Sequence, residues 1–334
     1  MKDKVILLFI LFLILQQGCS DLIIDGPEKE TKLGDFEEAW GIAKHYYPFF
    51  EFKKVNWDSI HTVYRPQAMK CKGDEIYMVL YDMFRQLKDG HIDIYTEGGF
   101  SVKTFFWPRY YKDKDSFSPE VIRKYFPEPL KLAGEDRFEY GITNNIGYVR
   151  FETFSDGSWI KSFTDIMAYL SNTTGIVIDI RNNSGGSAST ADFIMSHFIN
   201  KTQEFYSYDK HKNRYTYSLY PIGASGYLKP VIILVNGASF SCAELFPERM
   251  RQLNNVTVLG DTTGGGGGYG RIYTLTSGKR LRIPDNYFTR NDGTIVEWNG
   301  ILPDILVPQT VQDIKSGHDK QLEYVINYLR AVKH

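Results

Sequence analysis

Residues 230–268 read PVIILVNGASFSCAELFPERMRQLNNVTVLGDTTGGGGG. Val231 to Val235 is an unbroken apolar, β-branched run, as in a strand buried on both faces. Asn236-Gly237 breaks it, and two serines follow, Ser239 and Ser241. Cys242, Leu245, Phe246, Arg249 or Met250, and Leu253 then recur at helical spacing. The predicted order is strand, tight turn, serine, helix. That order lifts a hydroxyl to the end of a buried strand and sets it at a helix N-terminus. Unpaired N–H groups and the positive end of the helix dipole gather there, where a developing oxyanion can be held. Serine is also a favoured helix cap, so the stretch alone leaves the role of the hydroxyl open. The G-x-S-x-G pattern of another nucleophile turn is absent.

The same alternation extends outward. Phe138 to Thr143 and Gly147 to Phe154 read as strands around Asn144-Asn145, and Trp159, Phe163, Ile166, Met167 and Leu170 form a helix face. Gly175 to Arg181 is a further buried strand, ending in the loop Asn182-Asn183-Ser184-Gly185-Gly186, and Thr190 to Asn200 is the next helix. Val256 to Gly260 is a short strand that ends near five glycines, Gly264 to Gly268. Asn291-Asp292-Gly293 is a hairpin turn. Ile301 to Val307 and a helix from Asp319 to Val332 close the chain. Strand–helix units with glycine loops at the strand ends predict a layered α/β core, with its site at those ends.

Before this core lies a small helical domain. Asp35 to Tyr47 is a helix capped by Asp35 and ended by Pro48, Asn56 to Tyr64 a shorter one before Pro66. A clear amphipathic helix capped by Asp74 carries Ile76, Val79, Leu80, Met83, Phe84 and Leu87 on one face. It stops at Asp89-Gly90, and His91 follows. Residues 92–136, rich in Phe, Tyr, Lys and Pro, read as a connecting or capping segment that can cover a cleft. The expected divisions are 1–19, 20–33, 34–91, 92–136, 137–310 for the core and 311–334 for the closing helix.

The chain has 334 residues and a net charge of -1, with no basic face or nucleic-acid motif, so nucleic acid is not an expected partner. Lys2 and Lys4 precede an apolar run from Val5 to Leu15 that is too short to span a bilayer. Gln16-Gln17-Gly18-Cys19 follows and resembles the end of a bacterial lipoprotein signal. That implies lipidation of Cys19, attachment to a membrane through it, and a place in the cell envelope, periplasmic or on the outer membrane. Residues 20–33 suit a tether. Cys71 and Cys242 fit either a single disulfide or two free thiols.

A serine nucleophile needs a base, and there are seven histidines. His45 and His61 fall in predicted helices, His197 inside another, His211 in a charged loop, and His318 and His334 near the end. His91 alone follows a tight turn where two domains meet. The Asp179 to Gly186 loop lacks the G-x-x-x-x-G-K-[ST] of a phosphate loop. Its glycines would let backbone approach a substrate, or serve as a plain strand-to-helix turn.

Gly147-Tyr148-Val149-Arg150-Phe151, Asp179 to Gly186, Ser239-Phe240-Ser241-Cys242-Ala243-Glu244 and Gly260-Asp261-Thr262-Thr263-Gly264 occur in order, followed by Asn299 to Asp304 and Asp319 to Leu322. The ordered set resembles the C-terminal processing peptidases and the tricorn protease, a family of serine peptidases. The resemblance implies a ClpP/crotonase-like spiral of strand–helix units. It implies Ser241, three residues before Glu244, as nucleophile, with Ser239 a turn residue. One branch takes a lysine as base where this chain has Gly266. The tricorn-like branch takes a histidine, matched by His91, and a glutamate, matched by Glu297. The tricorn serine before that histidine is Gly90 here, so a Ser–His–Glu triad is implied. The implied oxyanion hole is the N–H of Cys242 with that of Gly185 or Gly186. No PDZ domain is expected in 92–136, and neither metal nor organic cofactor. Peptide or unfolded-protein cleavage follows, with a non-catalytic peptide- or lipid-binding protein on the same fold, or an esterase, as alternatives.

Overall fold

The computed structural model describes residues 32–223 and 226–331. The stretch expected as a signal segment, with Cys19, and most of the expected tether lie outside these. Thirteen strands form two sheets. In chain order they are β1 (Asp93–Tyr95), β2 (Ser101–Lys103), β3 (Lys131–Ala133), β4 (Phe138–Thr143), β5 (Ile146–Arg150), β6 (Gly175–Asp179), β7 (Gln203–Asp209), β8 (Arg214–Leu219), β9 (Val231–Val235), β10 (Val256–Gly260), β11 (Gly268–Thr274), β12 (Arg280–Tyr287) and β13 (Ile305–Leu306).

The larger sheet runs β13-β10-β9-β6-β5-β4-β3. Its five strands β13, β10, β9, β6 and β5 are parallel. Strand β9 sits between β10 and β6, with Val231 opposite both Val256 and Ile176. Its period of two is used on both faces. Val231, Ile233 and Val235 enter the core under helices Ser162–Leu170, Ala188–Met195 and Cys242–Met250. Ile232 and Leu234 enter the opposite core, under the closing helix Lys320–Ala331. A continuous apolar run is what such double burial requires. Asn144 and Asn145 both adopt positive φ, 51° and 60°, and turn β4 into β5, as expected of a two-residue hairpin.

The second sheet is antiparallel, β2-β1-β12-β7-β8 with β11 also on β12. Its β1, β12 and the turn before β12 share a core with the N-terminal helices Lys32–Tyr46, Trp57–Lys70 and Glu75–Arg85. Residues 92–136 are therefore more than a cover: they supply β1, β2 and β3 and the helices Pro108–Asp113 and Pro119–Arg123.

Several local expectations change. The helix expected to end before Pro66 runs to Lys70. Pro66 and Thr62, the residue whose carbonyl Pro66 cannot serve, both lie on the exposed side, where water can satisfy that carbonyl. Asp35 is buried in its helix and pairs with Lys279 at 3.1 Å rather than standing as the cap. Asp74 precedes its helix but makes no side-chain cap bond. Only Ile305–Leu306 of the stretch 301–307 is strand. Cys71 and Cys242 are free thiols. Among the described residues no helix is long and apolar enough to cross a membrane.

Candidate active site

Three loops meet at the C-terminal ends of the parallel strands: Asn182–Gly186 after β6, Asn236–Ser241 after β9, and 261–267 after β10. The β9 turn is closed by Ser239. Its buried hydroxyl donates to the Ile180 carbonyl at 2.8 Å and accepts from the Asn236 N–H at 3.1 Å. Ser241 is half-buried and stands at φ 59°, ψ -118°. That conformation is strained for any residue but glycine. It is held by Glu244, whose fully buried carboxylate accepts four donors: the Ser241 N–H, the Thr263 hydroxyl, and the Gly265 and Gly266 N–H groups, at 2.6 to 2.9 Å. Burial pushes the Glu244 carboxyl up, while the donors pull it down. Glu244 thus ties the strained serine to the glycine run.

The Ser241 hydroxyl lies 2.7 Å from His91 Nε2. These two residues, 150 apart in sequence, come from different sheets: His91 leads into β1, Ser241 leaves β9. Burial, followed by the Arg282, Lys103 and Lys53 charges, lowers His91 to about 3, against the opposing pull of Asp89. The imidazole is therefore neutral, the state a base requires.

Glu297 does not reach His91 with a hydrogen bond. Its Oε1 accepts from Lys53 at 2.6 Å and its Oε2 from the Gly267 N–H at 3.1 Å. His91 Nδ1 has no hydrogen-bond partner among the described residues. Asp89, unremarked in the sequence except as part of a turn, sends Oδ1 to the His91 backbone N–H at 2.8 Å and to within 4.0 Å of Nδ1. Donor atoms of Asp89, His91 and Glu297 lie within 4.8 Å of one another. That spacing would suit a metal ion, but Lys53 Nζ contacts both carboxylates and supplies the positive charge itself.

Of the two glycines left open for the oxyanion, Gly185 gives its N–H to Asn183 Oδ1 at 2.9 Å. The N–H groups of Gly186 and Cys242 meet no acceptor among the described residues. Gly185 is needed for space: a Cβ there would lie 2.7 Å from Ser241 Cβ and 2.9 Å from the Cys242 nitrogen, and its φ is 87°.

The positions where the resemblance has a lysine or a serine are filled from elsewhere. A Cβ on Gly266 would overlap the Phe240 ring, and one on Gly90 would come within 2.8 Å of it. Phe240 stacks on Trp107 at 3.6 Å between centroids and on His91 at 4.7 Å. Trp107 is fixed in turn by its Nε1–H to the Gly237 carbonyl, 2.8 Å. Lys279, the other conceivable base, is bound to Asp35; burial would lower its ammonium, but Asp35 raises it.

Residues 145–307 match peptidase family S41, and residues 28–86 match the tricorn protease C1 domain. The chain is similar to peptidase family S41 over just under half of its length. A carboxy-terminal-processing protease of Bartonella bacilliformis is 27% identical over 193 residues, 55% of this chain and 44% of that protein. A crystal structure from Parabacteroides merdae superposes with a TM-score of 0.76 at 29% identity, covering 91% of this chain and 98% of that one. The tricorn protease shares the fold, with a TM-score of 0.59 at 18% identity over 90% of this chain and 36% of that one. The chain spans less than half the length of the curated relatives named as carboxy-terminal processing proteases.

Proposed function

We propose that the chain is a serine-type endopeptidase that cleaves peptides or unfolded protein tails through an acyl-enzyme on Ser241. The observation that carries this is the 2.7 Å contact between Ser241 Oγ and a neutral, buried His91, at a helix N-terminus with two unclaimed N–H groups. His91 Nε2 takes the hydroxyl proton as Oγ attacks the substrate carbonyl. The Cys242 and Gly186 N–H groups receive the oxyanion. The imidazolium formed faces Asp89, with Glu297 behind it, and returns its proton to the leaving amine.

For the N-terminus we propose an exported lipoprotein anchored through Cys19, on the strength of the Lys2 to Cys19 pattern.

Labelling with a fluorophosphonate tests the mechanism, since only an activated serine reacts. Wild type should label and cleave an unfolded protein such as casein. Ser241→Ala should lose both with its fold intact, while Ser239→Ala keeps a labelled Ser241. An unlabelled wild type would favour a binding protein on the same fold.

A further inference from the structure

Lys53 ends the short helix Phe50–Lys53, and its side chain is wholly buried. Its Nζ reaches four acceptors: the Leu87 and Lys88 carbonyls at 3.1 and 3.4 Å, Asp89 Oδ2 at 3.2 Å and Glu297 Oε1 at 2.6 Å. The Trp298, Phe49 and Tyr47 rings surround it at 4.9 to 5.6 Å. Tyr47 also donates to Asp89 Oδ2 at 2.7 Å.

An ammonium in such a place is expensive. Desolvating an ion costs several kcal/mol, and well-packed apolar residues in place of a buried pair are often as stable or more so. Stability alone therefore gives weak reason for Lys53. Its position gives a better one. Asp89 and Glu297 are two buried carboxylates in close proximity, and both face the side of His91 away from Ser241. Without a cation between them they would repel, and one would protonate or turn away. With Lys53 in place, each keeps one oxygen on the ammonium and the other on backbone of the site: Asp89 on the His91 N–H, Glu297 on the Gly267 N–H.

We propose that Lys53 is a positioning residue for the base, clamping Asp89 and Glu297 behind His91 and offsetting the Asp89 charge at the imidazole. This rests on the Ser241–His91 reading above. The titratable groups facing His91 are Asp89, Lys53 and Glu297, whose carboxyl burial and then Asp89 raise to about 8 against the pull of Lys53, on one side, and Lys103 and Arg282, both paired with Asp93, on the other. Removing Lys53 deletes one positive charge from this set, so the imidazolium becomes easier to form and the base stays protonated to higher pH.

The test is the rate of fluorophosphonate labelling of Ser241 from about pH 2.5 to 9, a range that spans the low His91 value of about 3, in wild type, Lys53→Met and Lys53→Arg. In Lys53→Met the acid limb should move up by about one pH unit or more, and the plateau rate should fall at least about tenfold. Lys53→Arg keeps the charge, so its limb should stay with wild type. If Lys53→Met does not fold, Lys53→Gln, which keeps a donor and loses the charge, carries the same expectation. A neutral variant that merely melts earlier, with limb and plateau rate unchanged, overturns the proposal and leaves the peptidase reading standing. Failure of that reading appears separately, as absent labelling of wild type or labelling that survives in Ser241→Ala.

Discussion

Phe240→Ala is the substitution that asks most of this site. The Phe240 ring is 3% exposed and lies between Trp107 and His91. Deleting it leaves a cavity at a cost of about 3–5 kcal/mol, so the melting temperature should fall clearly. Its second effect is chemical. The cavity borders His91 and the half-buried Ser241, a polar lining that water can enter. Burial is the largest cause of the low value of His91, about 3 against an ordinary 6.5. Hydration should return the imidazole most of the way, to about 6. The sign follows directly. On the proposed mechanism the neutral imidazole is the active form, so kcat/KM rises with pH through the histidine value, and a lowered value puts that limb at lower pH. In wild type kcat/KM should be flat from about pH 5 upward as far as His91 governs it. In Phe240→Ala about one molecule in ten would hold neutral imidazole at pH 5, so kcat/KM there should be about a tenth of its value at pH 8. The assay is a pH–rate profile with a fluorogenic peptide or labelled casein, on protein shown to be folded by near-UV circular dichroism. A wild-type limb near 6.5, or an unchanged profile in Phe240→Ala, would refute the claim that this ring keeps the base dry.

Two further outcomes follow. Gly185→Ala should fold but lose about 10²–10³ in kcat, because the new methyl group crowds Ser241 and the Cys242 N–H, where the proposed mechanism puts the oxyanion; steady-state kinetics beside the melting temperature will show it. Cys19→Ala should abolish lipidation and release the protein from the membrane fraction, as read by detergent partition and mass spectrometry; unchanged partition with normal processing would argue against the lipoprotein signal.

The legible parts of this chain were those whose meaning is local. Strand β9 announces itself by an apolar run bounded by Pro230 and Asn236-Gly237, and Ser241 by its place between that strand and an amphipathic helix. The glycine loops mark the ends of β6 and β10 in the same way. His91 could be singled out because it follows a turn. The rest depends on contacts that no periodicity records. Strand β12 pairs with β1 across nearly two hundred residues, Arg282 opposite Asp93, and β8 is exposed along most of its length, so neither shows a clean alternation. Lys53 and Asp89 look like ordinary surface charges in sequence. Phe240 looks like a spacer between two serines, yet its ring explains why Gly90 and Gly266 must lack side chains. Glu297 was named only through the family resemblance, as the partner of His91. Its attachment to Lys53 rather than to His91 was not, because the ammonium comes from 244 residues away.

The separation of Ser241 and His91 between two sheets has a consequence for the life of the newly made chain. His91 is held in the core built by the N-terminal helices and the antiparallel sheet, Ser241 in the core around the parallel sheet. Neither half alone contains a nucleophile beside its base. On the proposed mechanism hydrolysis therefore needs both cores packed against each other, and a chain in which either is unfolded has no nucleophile beside its base.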